Sequence, residues 1–243
     1  NEVLKQLGGD APSLWALLTV ETRGFGFFPD RRPKILFERH IFHKRTKGRH
    51  SAAHPDISSS TSGGYQGDIA EYGRLEQAIK LDRQAALESV SWGLGQIMGF
   101  NAVELGYTDT EEMVKKFIEG EDEQLDGSRR FIAKNPTLTS AFQNKNWTKV
   151  ASLYNGPAFE KNRYHIKLAH FCELYTTTGT PSIDVRAAQA NLTFLGFNPG
   201  GVDGLFGKAT RAALNAFQKA HGLPVTGELD DGTLNELQTA VSG

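Results

Sequence analysis

A mainly α-helical chain of two unequal domains is what the sequence predicts, and three observations carry the prediction. Through residue 175, apolar side chains recur three and four positions apart, the spacing of a helix face packed on a core. Residues 176–182, Thr-Thr-Thr-Gly-Thr-Pro-Ser, then interrupt the pattern with small and turn-forming residues, which marks a linker. The remainder repeats itself: Gly204, Thr210 and Leu214 are echoed by Gly227, Thr233 and Leu237, so twice a glycine turn feeds a helix whose Leu faces inward.

The apolar spacing predicts helices over 2–20, 68–90, 92–103, 110–119, 121–134, 138–144, 147–153 and 157–174. Pro33 to His43 is different, because Ile35, Leu36, Phe37, Ile41 and Phe42 stand among charged residues in a way that suits a short strand or a buried extended piece. Residues 46–67 are polar, rich in Ser and Gly, and unpatterned; they read as a long loop of the kind that is often functional or mobile. In the tail, an apolar helix from Val185 to Leu195 precedes the two glycine-led helices, giving a three-helix module. The expected organisation is a domain over 1–175, a linker over 176–182 and a module over 183–243.

Composition bounds the function. The chain has 243 residues, 39% of them hydrophobic, and a net charge of -1, which provides no electrostatic basis for binding nucleic acid or an anionic surface. A basic stretch from Arg31 to Arg49 suits an anionic polymer or, more commonly, a solvated loop, and a later stretch from Glu111 to Asp126 is acidic. The single cysteine, Cys172, lies among Ala169, Phe171 and Leu174 and reads as a small buried hydrophobe, with no intramolecular disulfide possible. No apolar run reaches bilayer-spanning length, and no basic-then-apolar leader opens the sequence. The expectation is a monomer without stable membrane insertion, made in a cytoplasm and reaching any outside target by another route.

Carboxyls carry the first chemical signal. Glu21 follows Leu14, Trp15, Leu17, Leu18 and Val20 and precedes a glycine-rich turn, a placement that desolvates a carboxyl and favours its protonated form near neutral pH. Such an acid can protonate a leaving oxygen. Glycoside cleavage usually requires a second carboxylate, and Asp30 and Glu38 are the rivals; each also suits a local role, Asp30 in a turn before Arg31 and Arg32, Glu38 beside Arg39.

Two further windows suit a glycan. Gly93-Leu94-Gly95-Gln96-Ile97-Met98-Gly99 reads as a glycine-rich helix start where Gln96 offers a donor and an acceptor to sugar groups, or as a tight helix crossing. Tyr154 and Asn155 end a helix at Gly156-Pro157, where their polar tips point into a cleft or cap the helix. A competing site is offered by His40, His43, His50 and His54, residue types that hold zinc in amidases and peptidases, although no His-Glu-x-x-His pattern is present. Neither metal nor cofactor is expected.

Taken in order, Val20-Glu21-Thr22-x-Gly24, Gly93 to Gly99 and Tyr154-Asn155-Gly156 resemble the three motifs of the lysozyme-like superfamily of goose-type lysozymes and lytic transglycosylases. With Ile35-Leu36-Phe37-Glu38-Arg39-His40-Ile41-Phe42 and Ser91-Trp92-Gly93, the pattern is similar to the N-acetylmuramidase domain of modular phage endolysins. The tail, with Gln189, Leu192, Leu195-Gly196-Phe197, Val202-Asp203-Gly204-x-Phe206-Gly207-x-x-Thr210 and Phe217-Gln218, resembles the peptidoglycan-binding domain 1 family.

The resemblance implies a lysozyme-like helical domain with a small extended part that cleaves the β-1,4 bond between N-acetylmuramic acid and N-acetylglucosamine. Glu21 falls on the acid; Gln96, Tyr154 and Asn155 fall on substrate-binding motifs; Asp203, Phe206 and Thr210 fall on the wall-binding module. It also implies a phage protein held in the host cytoplasm until released to the wall. Thr22 stands where transglycosylases often have Ser. In the T-even phage type an Asp follows the acid by nine residues, as Asp30 does here, but Leu36 replaces the Thr found six further on. The second carboxylate stays open between Glu38 and Asp30, and the outcome between hydrolysis and transglycosylation. A zinc amidase or peptidase, and a wall protein without activity, are the readings from other classes.

Overall fold

The computed structural model describes residues 2–242. Two helices, α1 (Glu2–Leu7) and α2 (Ala11–Thr22), occupy the stretch where the spacing predicts one. The chain breaks at Gly8-Gly9, where a side chain on Gly9 would strike the Phe142 ring. Asp10 then starts α2 by accepting a hydrogen bond from Ser13 N at 2.9 Å. Ser13, Leu14, Ala16, Leu17, Leu18 and Thr22 are all buried, so α2 is enclosed on most sides, as a central helix must be.

The extended piece divides into β1 (Ile35–Phe37) and a helix, α3 (Arg39–Arg45). The predicted helix over 68–90 is also two, α4 (Glu71–Leu81) and α5 (Arg83–Glu88), because Asp82 adopts extended backbone and caps α5 through Ala85 N at 3.0 Å. The helix expected over 92–103 does not form. In its place β2 (Val90–Trp92) and β3 (Ile97–Met98) make a hairpin, followed by short 3-10 turns at 99–101 and 103–105. The hairpin turn needs φ of +68° at Gly93 and +50° at Gln96, left-handed backbone that an α-helix excludes. The three strands are antiparallel in the order β1-β2-β3, with Ile35 opposite Trp92 and Trp92 opposite Ile97.

Helices α6 (Thr110–Glu119) and α7 (Glu121–Lys134) fill the predicted spans, and α8 (Pro136–Gln143) and α9 (Trp147–Tyr154) follow. Helix α10 (Tyr164–Thr178) runs into the expected linker and leaves 179–182 as the connection. It packs along α2, with Thr19 and Tyr175 hydroxyls 2.9 Å apart and Cys172 buried beside Ser13. No helix among the described residues is long and apolar enough to cross a membrane.

This domain has two apolar cores. One gathers Ile35, Phe37, Phe42, Trp92, Met113 and Phe117 around the sheet; the other gathers Leu14, Leu17, Leu18, Ile132, Phe142 and Leu168 around α2. Phe131 and Tyr154 touch both, their rings edge to face with centroids 5.2 Å apart.

The loop over 46–67 is anchored to the rest of the domain. Ile57 is fully buried, and His43 Nδ1, Ser51 and Ser58 form a hydrogen-bonded chain at 2.7 and 2.9 Å. The main anchor is the buried pair Glu71–Arg74, 2.8 Å apart. Arg74 donates to Phe37 O at 3.0 Å and Asp56 O at 3.1 Å, while Glu71 accepts from the Gln66 and Gly67 amides at 2.6 and 3.0 Å. Both charges are thereby compensated on the spot where strand, loop and helix meet.

The C-terminal module packs α11 (Ile183–Phe194), α12 (Lys208–Ala220) and α13 (Asp231–Ser242) around Leu192, Leu214, Phe217 and Leu237. Its sequence echo has a structural cause. Buried Gln189 donates to Asp203, Leu205 O and Thr210 at 3.0, 3.1 and 3.0 Å and accepts from the Asp203 and Gly204 amides. Buried Gln218 does the same with Thr226, Glu228 O and Thr233 at 3.0, 3.1 and 3.0 Å, and with the Thr226 and Gly227 amides. Each glutamine amide therefore holds one glycine turn against the helix that follows.

Removing Arg74 leaves the Glu71 carboxylate buried without its cation, so Arg74→Ala should lower the unfolding free energy by about 3–5 kcal/mol. Urea denaturation at neutral pH measures this; a loss below about 1 kcal/mol, the range of an exposed pair, would show that the network does not anchor the loop.

Candidate active site

Glu21 is the penultimate residue of α2, partly buried at the rim of the α2 core. The helix closes by a left-handed residue, Arg23 with φ 58°, whose amide and that of Gly24 return to Thr19 O and Leu18 O, each at 3.0 Å. Thr22 donates to Leu94 O at 3.0 Å, which ties the end of the helix to the β2–β3 turn. Lys34 Nζ donates to Thr22 O at 3.1 Å, and its burial pushes the ammonium pKa down.

The carboxyl itself has one protein partner among the described residues: Asn155 Nδ2 donates to Oε1 at 2.7 Å. Burial pushes the Glu21 pKa up from the ordinary 4.5 to about 7, and the Asn155 hydrogen bond opposes it by a smaller amount. Burial also raises the Tyr154 and Tyr164 hydroxyls, and the Glu21 charge adds to each, which places both near the carboxyl. Asn155 Oδ1 is buried and takes no partner among the described residues, leaving an acceptor beside the acid.

The other residues nominated from sequence divide by what they touch. Gln96 accepts from Ser91 Oγ at 2.9 Å and donates to Gly93 O at 2.9 Å and Lys34 O at 3.4 Å. Its amide is engaged in shaping the hairpin, at the turn of a β-ribbon where the sequence suggests a helix start. Tyr154 OH donates to Gly95 O at 2.8 Å and braces the same turn. Of the nominated catalytic and substrate-binding side chains, Glu21 and Asn155 are the pair that hydrogen-bond each other.

The rival carboxylates are both engaged locally. Asp30 is exposed and accepts from Arg32 Nε at 2.7 Å and Arg32 N at 3.2 Å, a turn arrangement. Glu38 stands at the start of α3 with its side chain mostly covered, and Tyr65 OH donates to its two oxygens at 3.0 and 2.9 Å. His40 Nδ1 is 3.1 Å from Glu38 Oε2 but off the hydrogen-bonding direction. Burial, followed by the Glu38 charge, pushes Tyr65 up to about 12, so it remains a donor.

The histidine stretch is dispersed: His43 bonds Ser51, His50 stacks on Phe42, and no group of three or more metal-ligating side chains gathers among the described residues. In the module, Asp203 and Thr210 serve the Gln189 network, whereas Phe206 is exposed under the Arg211 guanidinium.

Sequence reading missed Gln124, Tyr65, Glu121 and Arg186. Buried Gln124 accepts from Leu94 N at 2.7 Å and donates to Phe117 O at 2.8 Å, holding the hairpin from α7. Glu121 accepts from Gly26 N at 2.7 Å, and Arg186 from the module reaches Gly24 O at 2.8 Å. None of these has a local sequence signature, since Leu94, Glu38, Gly26 and Gly24, which they hold, all lie far away along the chain.

A central helix ending in a desolvated carboxyl, a hairpin braced against it and a separate three-helix module define a two-domain glycan-cleaving protein. The family comparison agrees: residues 10–176 match N-acetylmuramidase, and residues 182–237 match a peptidoglycan binding domain. The chain belongs to the N-acetylmuramidase family, joined to a peptidoglycan-binding module in the manner of a modular endolysin. It is similar to the crystal structure of the Burkholderia AP3 phage endolysin, 38% identical with a TM-score of 0.67, covering 74% of this chain and 69% of that one. No curated protein matches the chain. The protein is thus a glycoside hydrolase acting on peptidoglycan.

A carboxyl whose pKa is about 7 when folded and 4.5 when unfolded holds its proton longer in the native state. Stability then falls as pH rises through this window, and above it the buried carboxylate costs about 3 kcal/mol. Glutamine cannot ionise. Glu21→Gln should therefore gain about 3 kcal/mol relative to the parent between pH 4 and pH 8 in chemical denaturation; a constant difference between the two proteins would refute the buried acid.

Proposed function

We propose that the protein hydrolyses the β-1,4 bond between N-acetylmuramic acid and N-acetylglucosamine, with Glu21 as the general acid. The observation that supports this reading best is the Glu21 carboxyl, desolvated to a pKa of about 7 and oriented through Oε1 by Asn155. Its Oε2 takes no partner from the described residues, which leaves that oxygen to the substrate. Protonated near neutral pH, it can donate to the leaving glycosidic oxygen. The carboxylate formed then accepts the Asn155 hydrogen bond more strongly, because the acceptor is now charged.

Glu38 is the better candidate for the second role, stabilising the oxocarbenium-like centre or activating water, because its side chain is mostly covered and Tyr65 holds it in place. Asp30, exposed and bonded to Arg32, is the lesser candidate. The module supports peptidoglycan as the polymer bound, and Phe206 is its exposed aromatic contact. The place of action we infer is the wall of a bacterial host after release from the cytoplasm; lysis should await a breached membrane, and lysis of cells with intact membranes on cytoplasmic expression would contradict this.

The local engagement of both rival carboxylates favours one second reading. In a transglycosylase the C6 hydroxyl of muramic acid attacks, and no carboxylate is needed to activate water. Glu21→Gln should lower wall clearing roughly 100-fold or more, and Glu38→Gln should lower it by a smaller factor. Mass spectrometry of the digest separates the two outcomes: reducing muramic ends carry the added water, whereas products lighter by one water would establish transglycosylation. Near-parental clearing by the Glu21→Gln variant would remove Glu21 from the mechanism.

A further inference from the structure

The wall-binding module grips the backbone that follows the acid. Arg186 on α11 donates from Nε and Nη2 to Gly24 O at 2.8 and 2.5 Å, three residues past Glu21. Among the described residues that carbonyl accepts from no other group. The same guanidinium lies 2.7 and 2.6 Å from the two Glu121 oxygens, and Glu121 in turn accepts from Gly26 N at 2.7 Å. One carboxylate–guanidinium pair therefore holds the loop at both its Gly24 carbonyl and its Gly26 amide. Both side chains are mostly covered, and the guanidinium stands 5.8 Å from the Trp15 and Phe25 ring centres.

The rest of the contact keeps the grip in register. Phe25, Phe27 and Val202 are buried together with Ala190 and Phe194 against them, and the Phe25 and Phe194 rings are 5.8 Å apart. Arg31 donates to Val241 O at 3.0 Å and covers the Phe194 ring. The connection 179–182 spans at most about 14 Å, so the module has little reach away from this surface. A tether that served only to hold the enzyme near its polymer would require none of these contacts.

We propose that Arg186 is a positioning residue for Glu21: the docked module fixes the Thr22–Gly26 loop that follows the acid, and with it the surroundings of the catalytic carboxyl. The inference rests on the reading of Glu21 as the acid. Loosening the loop admits water to the end of α2, and a carboxyl with more water around it releases its proton at lower pH. Lysine in place of arginine keeps the charge but loses the planar fork that joins Gly24 O to Glu121.

The test uses the full chain and two substrates, soluble glycan fragments and insoluble wall. Arg186→Ala should lower kcat on the soluble fragments roughly tenfold with KM little changed, and move the alkaline limb of the pH profile down by about one unit. Arg186→Lys should recover part of both effects. Retention on insoluble wall should stay at the parental level in either variant. Parental kcat with an unmoved alkaline limb in Arg186→Lys and Arg186→Ala would overturn the proposal, as would lower activity with the limb in place, the result expected of a merely structural contact. Glu21→Gln, run beside them, separates the two ideas: full activity in that variant defeats the underlying reading, whereas its inactivity together with unaffected Arg186 variants defeats the clamp alone.

Discussion

Keeping the Glu21 carboxyl out of water, while leaving one of its oxygens reachable, constrains every segment around it. An isolated carboxylate in an apolar setting is costly, and the group answers by holding its proton to about pH 7. That is useful chemistry only if the surroundings do not collapse onto the acid or drift away from it. Helix α2 therefore ends in a left-handed closure at Arg23, Asn155 comes from the end of α9 to orient the carboxyl, and the β2–β3 turn is pinned from three sides by Thr22, Gln124 and Tyr154. The two apolar cores meet at Phe131 and Tyr154, and Tyr154 lies close enough to feel the Glu21 charge.

This arrangement explains what the sequence could and could not disclose. Helices α6 and α7 are legible because Asp109 caps the first, Gly120 separates them and their apolar faces repeat cleanly. The hairpin at 90–98 is not, because Val90, Trp92, Leu94, Ile97 and Met98 satisfy a helical spacing nearly as well as an alternating one. What decides it is the left-handed backbone at Gly93 and Gln96, with Gly95 lying directly against Ser128. The split of residues 68–90 turns on a single cap at Asp82, a residue type that also occurs freely on helix surfaces.

The site is legible in part for the same reason. Glu21 announces itself through local context, an acid closing an apolar helix before a glycine turn. Its partner Asn155 lies 134 residues away, and only the fold brings them to 2.7 Å. Gln96, Tyr154, Asp203 and Thr210 are marked by motif and prove to hold turns in place, a role that a recurring pattern records as faithfully as it records chemistry. Arg186 and Glu121 carry no motif at all, since the clamp exists only between domains.

Acid catalysis by Glu21 depends on the carboxyl being protonated because it is buried. Carboxyl 13C labelling of glutamate, with Glu21 assigned by comparison with Glu21→Gln, follows that one proton directly through a pH titration of the intact protein. A resonance that titrates near pH 7 is the expected result. A midpoint near the ordinary 4.5 would show a solvated carboxylate, and the burial around the end of α2 would then have no catalytic meaning.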